Sequence, residues 1–116
     1  MGWKEDIVEN YKFGVSSLLI LRLLMTEDMY GYQIRQKIKE ISGGVIDIKE
    51  GSFYGPMYKM EKNGLISSKK ELVGEKRFRM YYHIEKEGIE HLNYMLKKYK
   101  EIYDGTNKII KYCEKK

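Results

Sequence analysis

The hydrophobic period of this sequence changes twice, and the two changes set the order of its elements. Up to Asn63-Gly64 the apolar residues recur in steps of three and four. From Ile66 to Ile84 they fall into alternation, and beyond Glu85 the longer step returns. Steps near 3.6 gather apolar side chains on one side of a helix, whereas alternation gathers them on one face of a strand. The chain is therefore expected to be mainly α with a small β-hairpin, in the order helix, helix, helix, two strands, long helix.

Phe13, Leu18, Leu21, Leu24 and Met25 suit a first helix that is apolar nearly all round, hence central, with Ile7–Lys12 adding a turn or two before it. Thr26-Glu27-Asp28 breaks the pattern. A second helix is expected from about Tyr30 to Ser42, carrying Ile34, Ile38 and Ile41 and stopped by Gly43-Gly44. After a short extended piece, Val45–Lys49, Ser52 is placed to cap a third helix whose stripe is Phe53, Met57 and Met60. That helix ends at Asn63-Gly64. The strands Ile66–Val73 and Arg77–Ile84 then flank a turn at Gly74-Glu75-Lys76, and Phe78, Met80, Tyr82 and Ile84 alternate along the second.

The 116 residues suit one domain with a modest core, and 42% apolar with 34% charged residues excludes a disordered chain. The net charge of +5 is unevenly placed. Residues 1–50 hold 7 basic and 8 acidic side chains, residues 51–84 hold 7 and 3, and residues 85–116 hold 8 and 6. An acidic partner is thus to be sought opposite the middle third. Cys113 is the only cysteine, which excludes an internal disulfide and a CxxC metal framework and makes a cytoplasmic setting the expectation. Val15–Met25, interrupted by Arg22, is too short to span a membrane, and no signal-like apolar block follows the N-terminus.

A helix that enters the major groove needs an apolar stripe to hold it and an opposite side that touches phosphates and base edges. Ser52, Tyr54, Tyr58, Lys59 and Lys62 supply that side, with Tyr54, Tyr58 and Lys62 in one row at i, i+4, i+8. The competing view is that the tyrosines only shield the edge of the core. The hairpin weighs against it: Lys69, Lys70, Lys76, Arg77 and Arg79 cluster around a narrow glycine turn suited to the DNA backbone or minor groove.

The segment Ser52-Phe53-Tyr54-Gly55-Pro56-Met57-Tyr58-Lys59-Met60-Glu61-Lys62-Asn63-Gly64-Leu65-Ile66 resembles, without gaps, the TLYPALxRLExxGLI signature of PadR-like transcriptional regulators. Tyr30-Gly31-Tyr32-Gln33-Ile34 resembles the family's HGYEL segment, and Arg79–Ile84 with Glu85–Gly88 resembles its RKYYxLTxxG wing and helix start. The resemblance covers roughly residues 12–92. It implies a winged helix-turn-helix over residues 1–84 and a C-terminal dimerisation helix over residues 85–116. It also implies a repressor that binds an inverted-repeat operator as a homodimer, in many members released by a small aromatic molecule. By position it puts Ser52, Tyr54 and Lys59 on the recognition helix and Arg79 on the wing. Three departures stand out: the motif's proline is Gly55, with Pro56 one place later; the threonine opening the last helix is Glu85; and the only tryptophan is Trp3, so the last helix has none to stack on a flat drug.

Ile89, Leu92, Leu96, Tyr99, Tyr103 and Ile110 follow heptad-like steps, the pattern of a helix laid along another helix, and are read as a homodimer interface. Docking of this helix on its own domain is the alternative. Tyr11, Phe13, Tyr94, Met95 and Tyr99 have the composition of a pocket for a small aromatic effector, or of plain core. His83 and His91 are the only histidines, no HExxH or GxxxxGK[ST] occurs, and neither an enzyme nor a cofactor is expected. The other reading of the whole chain is a winged-helix protein-interaction module without DNA binding, and the charge of residues 51–84 argues against it.

Overall fold

In the computed structural model, which describes residues 2–116, the chain runs α1 (Trp3–Leu24), β1 (Met29–Tyr30), α2 (Gly31–Ile41), α3 (Glu50–Lys62), β2 (Ile66–Leu72), β3 (Phe78–Ile84) and α4 (Lys86–Glu114). Met1, which opens the expected 1–84 unit, lies outside the described residues. The mainly α architecture with a hairpin wing is the expected one.

Helix α1 is a single helix of 22 residues, so Ile7–Lys12 belongs to it and does not precede it. Its second half buries Leu18, Ile20, Leu21 and Leu24, while Trp3, Ile7, Val8 and Tyr11 near its start are exposed. In α2, Ile34 and Ile38 reach the core but Ile41 does not, being 75% exposed. It is the last residue of α2 and sits on the rim of a shallow apolar groove with Leu19, Leu23 and Ile46. The core joins Phe53 and Met57 of α3 to Ile20, Leu21, Met29, Ile34, Ile66 and Leu92. Phe53→Ala would remove the largest of these side chains at a cost of about 3–5 kcal/mol.

Helix α3 starts two residues before the expected cap. Lys49 is the N-cap and makes no side-chain capping bond, so Ser52 is the third helical residue; its amide donates to the Lys49 carbonyl at 3.0 Å. Pro56 then falls in the second turn, where it leaves the carbonyl of exposed Ser52 without its helical donor. The other end follows expectation. Gly64 takes a φ of 77°, and the Leu65 amide donates to the Met60 carbonyl at 2.9 Å, closing the helix.

Strands β2 and β3 pair antiparallel from Ile66↔Ile84 to Leu72↔Phe78, and the Val73 amide donates to the Arg77 carbonyl at 2.9 Å around Gly74-Glu75-Lys76. A third strand was not foreseen: β1 pairs with β3 through Met29↔Tyr82 and Tyr30↔Tyr81, giving the sheet order β1-β3-β2.

The base of the hairpin meets the start of α4 closely. The Glu85 amide donates to the Leu65 carbonyl at 2.9 Å, and Ser67 Oγ donates to Glu85 Oε1 at 2.6 Å. A Cβ on Gly88 would lie 2.1 Å from the Leu65 oxygen and 2.8 Å from Ile84 Cγ1, so only glycine fits there. From this joint α4 runs 29 residues without a break, straight through Gly105-Thr106-Asn107. It stretches the molecule to 65 Å in its longest dimension.

Candidate nucleic-acid interface

The side of α3 opposite its buried stripe is open along its length. Phe53, Met57 and Met60 are in the core, whereas Ser52, Tyr54, Tyr58, Lys59 and Lys62 are exposed. At 100° per residue these five do not form one row. Tyr54, Tyr58 and Lys62 lie on one flank; Ser52 and Lys59 lie on the other, lining a hollow with Phe13 and Ser17 of α1. Tyr58 is the more open of the two tyrosines, 69% exposed.

Tyr54 is held more firmly. Its ring packs edge-on against Phe53 at 5.1 Å between centroids and leans across the first turn of α2. There a Cβ on Gly31 would come within 3.0 Å of the Tyr54 hydroxyl and 3.3 Å of Phe53. Gly31 thus lets Tyr54 lie down over α2. Tyr54, Tyr30, Tyr32, Phe78, Arg79 and Met80 line a notch of about 360 Å³ between α2, α3 and the hairpin. Tyr82 closes its floor, and burial pushes the Tyr82 hydroxyl pKa up, so it is a neutral phenol.

Lys76 and Arg77 stand at the exposed tip of the hairpin. Further down, Lys70 Nζ lies 5.2 Å from the Phe78 ring centre and Arg79 Cζ lies 4.1 Å from that of Tyr30. Among the described residues no ion pair involves Lys59, Lys62, Lys69, Lys70, Lys76, Arg77 or Arg79. Of the acidic side chains beside them, Glu61 accepts from Ser68 Oγ at 2.6 Å. Seven cations on α3 and the hairpin therefore keep their charge unneutralised. Below them His83 Nδ1 meets Asp28 Oδ1 at 2.7 Å, and this hydrogen bond raises the imidazole pKa above its ordinary value.

The residues singled out on α4 divide into two groups. Leu92 is 2% exposed and belongs to the core of its own chain, with Ile89 and Leu96 half-buried against it. Tyr99, Tyr103 and Ile110 are uncovered, as are Ile102 and Ile109 beside them. The five aromatic and methionine residues read as a pocket also divide. Tyr11, Tyr94, Met95 and Tyr99 line one trough of about 560 Å³ between α1 and α4, together with His91 and Tyr103. Phe13 points away from it, into hollows between α1 and α3. Helical spacing alone does not reveal which neighbour each side of α1 will meet. Tyr30 and Tyr32, which no motif marked as contacts, are brought to the interface by β1 and the start of α2.

Three helices with a basic antiparallel hairpin against the third make this a winged helix-turn-helix protein. Residues 20–94 match the transcriptional regulator PadR-like family, and the chain belongs to that family. It is 32% identical over 84 residues to an uncharacterised protein of Lysinibacillus sphaericus, covering 72% of this chain and 77% of that one. A transcriptional regulator from Clostridium thermocellum superposes with a TM-score of 0.78 at 31% identity, covering 89% of this chain and 96% of the other. A PadR family transcriptional regulator from Eggerthella lenta superposes with a TM-score of 0.80 at 25% identity, covering 91% and 90%. The chain is thus a transcriptional regulator, in a family of regulators and not of enzymes. Among its described residues no helix is long and apolar enough to cross a membrane.

Proposed function

We propose that the protein binds double-stranded DNA as a homodimer and represses transcription by occupying an inverted-repeat operator. The observation that carries DNA binding is the set of seven unneutralised cations on α3 and the hairpin. A surface of that kind gains from releasing counterions when it meets phosphates. In this reading residues 1–84 are the DNA-binding part. Tyr54, Tyr58 and Lys62 face base edges in the major groove, Ser52 and Lys59 face one phosphate strand, and Lys76, Arg77 and Arg79 hold the backbone from the wing. The repressor role follows the family resemblance, and a reporter fused to the selected operator tests its sign.

Residues 85–116 supply the dimer. Beyond Leu96 the apolar band of α4 is wider than a two-helix seam and is left about half exposed or more by its own chain. Trp3, Ile7 and Val8 of α1 form a second uncovered apolar stretch. Pairing across a two-fold axis would bury both. The trough between α1 and α4 is the place for a small planar aromatic effector, offering Tyr11, Tyr94, Met95 and Tyr99 as stacking and thioether surfaces. A panel of such compounds should raise the melting temperature and lower operator affinity, and a panel without effect on either removes the effector from the reading.

The deciding experiment measures affinity for selected operator and for random duplex over a range of salt. Binding that weakens steeply with salt, and is tighter for operator, supports the proposal. An interaction module without DNA binding would show no salt-sensitive binding to either.

A further inference from the structure

Arg79 does not take the partner that the sheet offers it. Its Cα partner on β2 is Glu71, a cross-strand neighbour of opposite charge, yet the two form no ion pair. The guanidinium lies instead over the Tyr30 ring, 4.1 Å from its centre. That ring is itself fixed, because β1 pairs Tyr30 with Tyr81 and the two rings meet edge-on at 5.5 Å. Tyr81 and Arg79 are two residues apart on β3 and share one face of it, so the Tyr30 ring rests on both. An exposed ion pair and an exposed cation–π contact are of similar strength, each up to about 1 kcal/mol. A ring already held in place suffices to keep the guanidinium off the carboxylate.

We propose that Tyr30 is a positioning residue for the wing: it holds Arg79 away from Glu71, charged and with its rotamer set, ready to meet a DNA phosphate. The inference rests on the DNA-binding reading above and adds a residue outside both the recognition helix and the hairpin. Arginine loses considerable rotamer freedom on binding, and a side chain ordered beforehand loses less.

The test is a double-mutant cycle on duplex affinity at fixed salt, using the full chain. Tyr30→Leu keeps apolar bulk against Tyr81 but removes the π face, and Tyr30→Phe keeps the face. Tyr30→Leu should weaken binding roughly two- to fivefold, and Tyr30→Phe should bind like the parent. In an Arg79→Ala background Tyr30→Leu should cost nothing further. Circular dichroism melts confirm folding, and Tyr30→Met replaces the leucine variant in the cycle if that one folds poorly. An equal loss from Tyr30→Leu in both backgrounds, or a loss from Tyr30→Phe as large as from Tyr30→Leu, overturns the proposal. Should Arg79→Ala alone leave affinity and salt slope unchanged, the wing contact itself fails, a different failure from that of Tyr30.

Discussion

Two surfaces of this molecule lack partners within the chain, and they differ in kind. The α3–hairpin face is charged, with seven cations free of carboxylates and tyrosines between them. The outer half of α4 and the start of α1 are apolar, with Tyr103, Ile109 and Ile110 on one helix and Trp3 and Val8 on the other. Charge left open in water costs little, whereas a long uncovered apolar band favours association and is rare on a monomer. In the proposed reading the first face is used intermittently and the second is covered permanently. The expected dimer is therefore the resting state and DNA the changing partner.

That contrast is broken most severely at α4. Tyr103→Asp with Ile110→Asp, both beyond the part of α4 that packs on its own domain, should leave a folded monomer. Burying an unpaired polar group costs on the order of 1–3 kcal/mol, and each substitution occurs twice in a symmetric dimer. Self-association should weaken by at least about a hundredfold, read by sedimentation, with operator affinity falling too. A double variant that still sediments as a dimer would place the interface elsewhere.

On the charged face the effects are smaller and separable. Tyr58→Ala takes away an exposed side chain of α3 without opening the core, and loss of a base contact costs about 1–3 kcal/mol. It should weaken operator binding while sparing random duplex. Lys76→Ala with Arg77→Ala should weaken both duplexes alike and make the salt slope shallower by about one unit per lost phosphate contact. If the two variants have the same effect on both duplexes, α3 and the wing do not divide reading from holding.

The smallest effect concerns the histidine beneath the wing. The Asp28 hydrogen bond raises the His83 pKa above 6.5, so folding binds this proton more tightly than the unfolded chain does. Stabilisation is then fully present below about pH 6.5 and is lost as pH rises through the raised folded value. Both side chains are more than half exposed, so solvent screens the pair and the gain is slight. The melting temperature of the parent should exceed that of Asp28→Asn more at pH 5.5 than at pH 8.5. An equal gap at both would mean that the pair does not titrate with folding.

The order of helices, the hairpin with its Gly74–Lys76 turn and the α3 stripe were legible because each is a local pattern of several residues. Strand β1 was not. Two residues carry no periodicity, and Met29-Tyr30 becomes a strand only because β3 is there to pair with it. The start of α3 was misplaced because Ser52 has the right chemistry for a cap, while Lys49 holds the position through backbone bonds alone. A heptad-like stripe says that a face is covered, not by whom, and so Leu92 was grouped with residues that the chain itself leaves open. For Phe13, likewise, helical spacing does not say that its side of α1 faces hollows beside α3. The notch around Arg79 draws on four separate elements, and nothing short of the tertiary fold assembles it.

The joint at Gly88 has a consequence for the operator. With the Leu65 carbonyl where a Cβ would otherwise be, the start of α4 packs directly against backbone of the domain that carries α3. In a dimer joined along the outer half of α4, the helix then works as a ruler, and its length sets the distance and phase between the two reading heads. One residue inserted between the joint and Tyr103 would advance the far end by about 1.5 Å and turn it by about 100°. Half-sites recur along DNA every 34–36 Å or so, and a head turned that far would no longer face the groove. In such a dimer, operator spacing would follow from the number of residues between Gly88 and Tyr103.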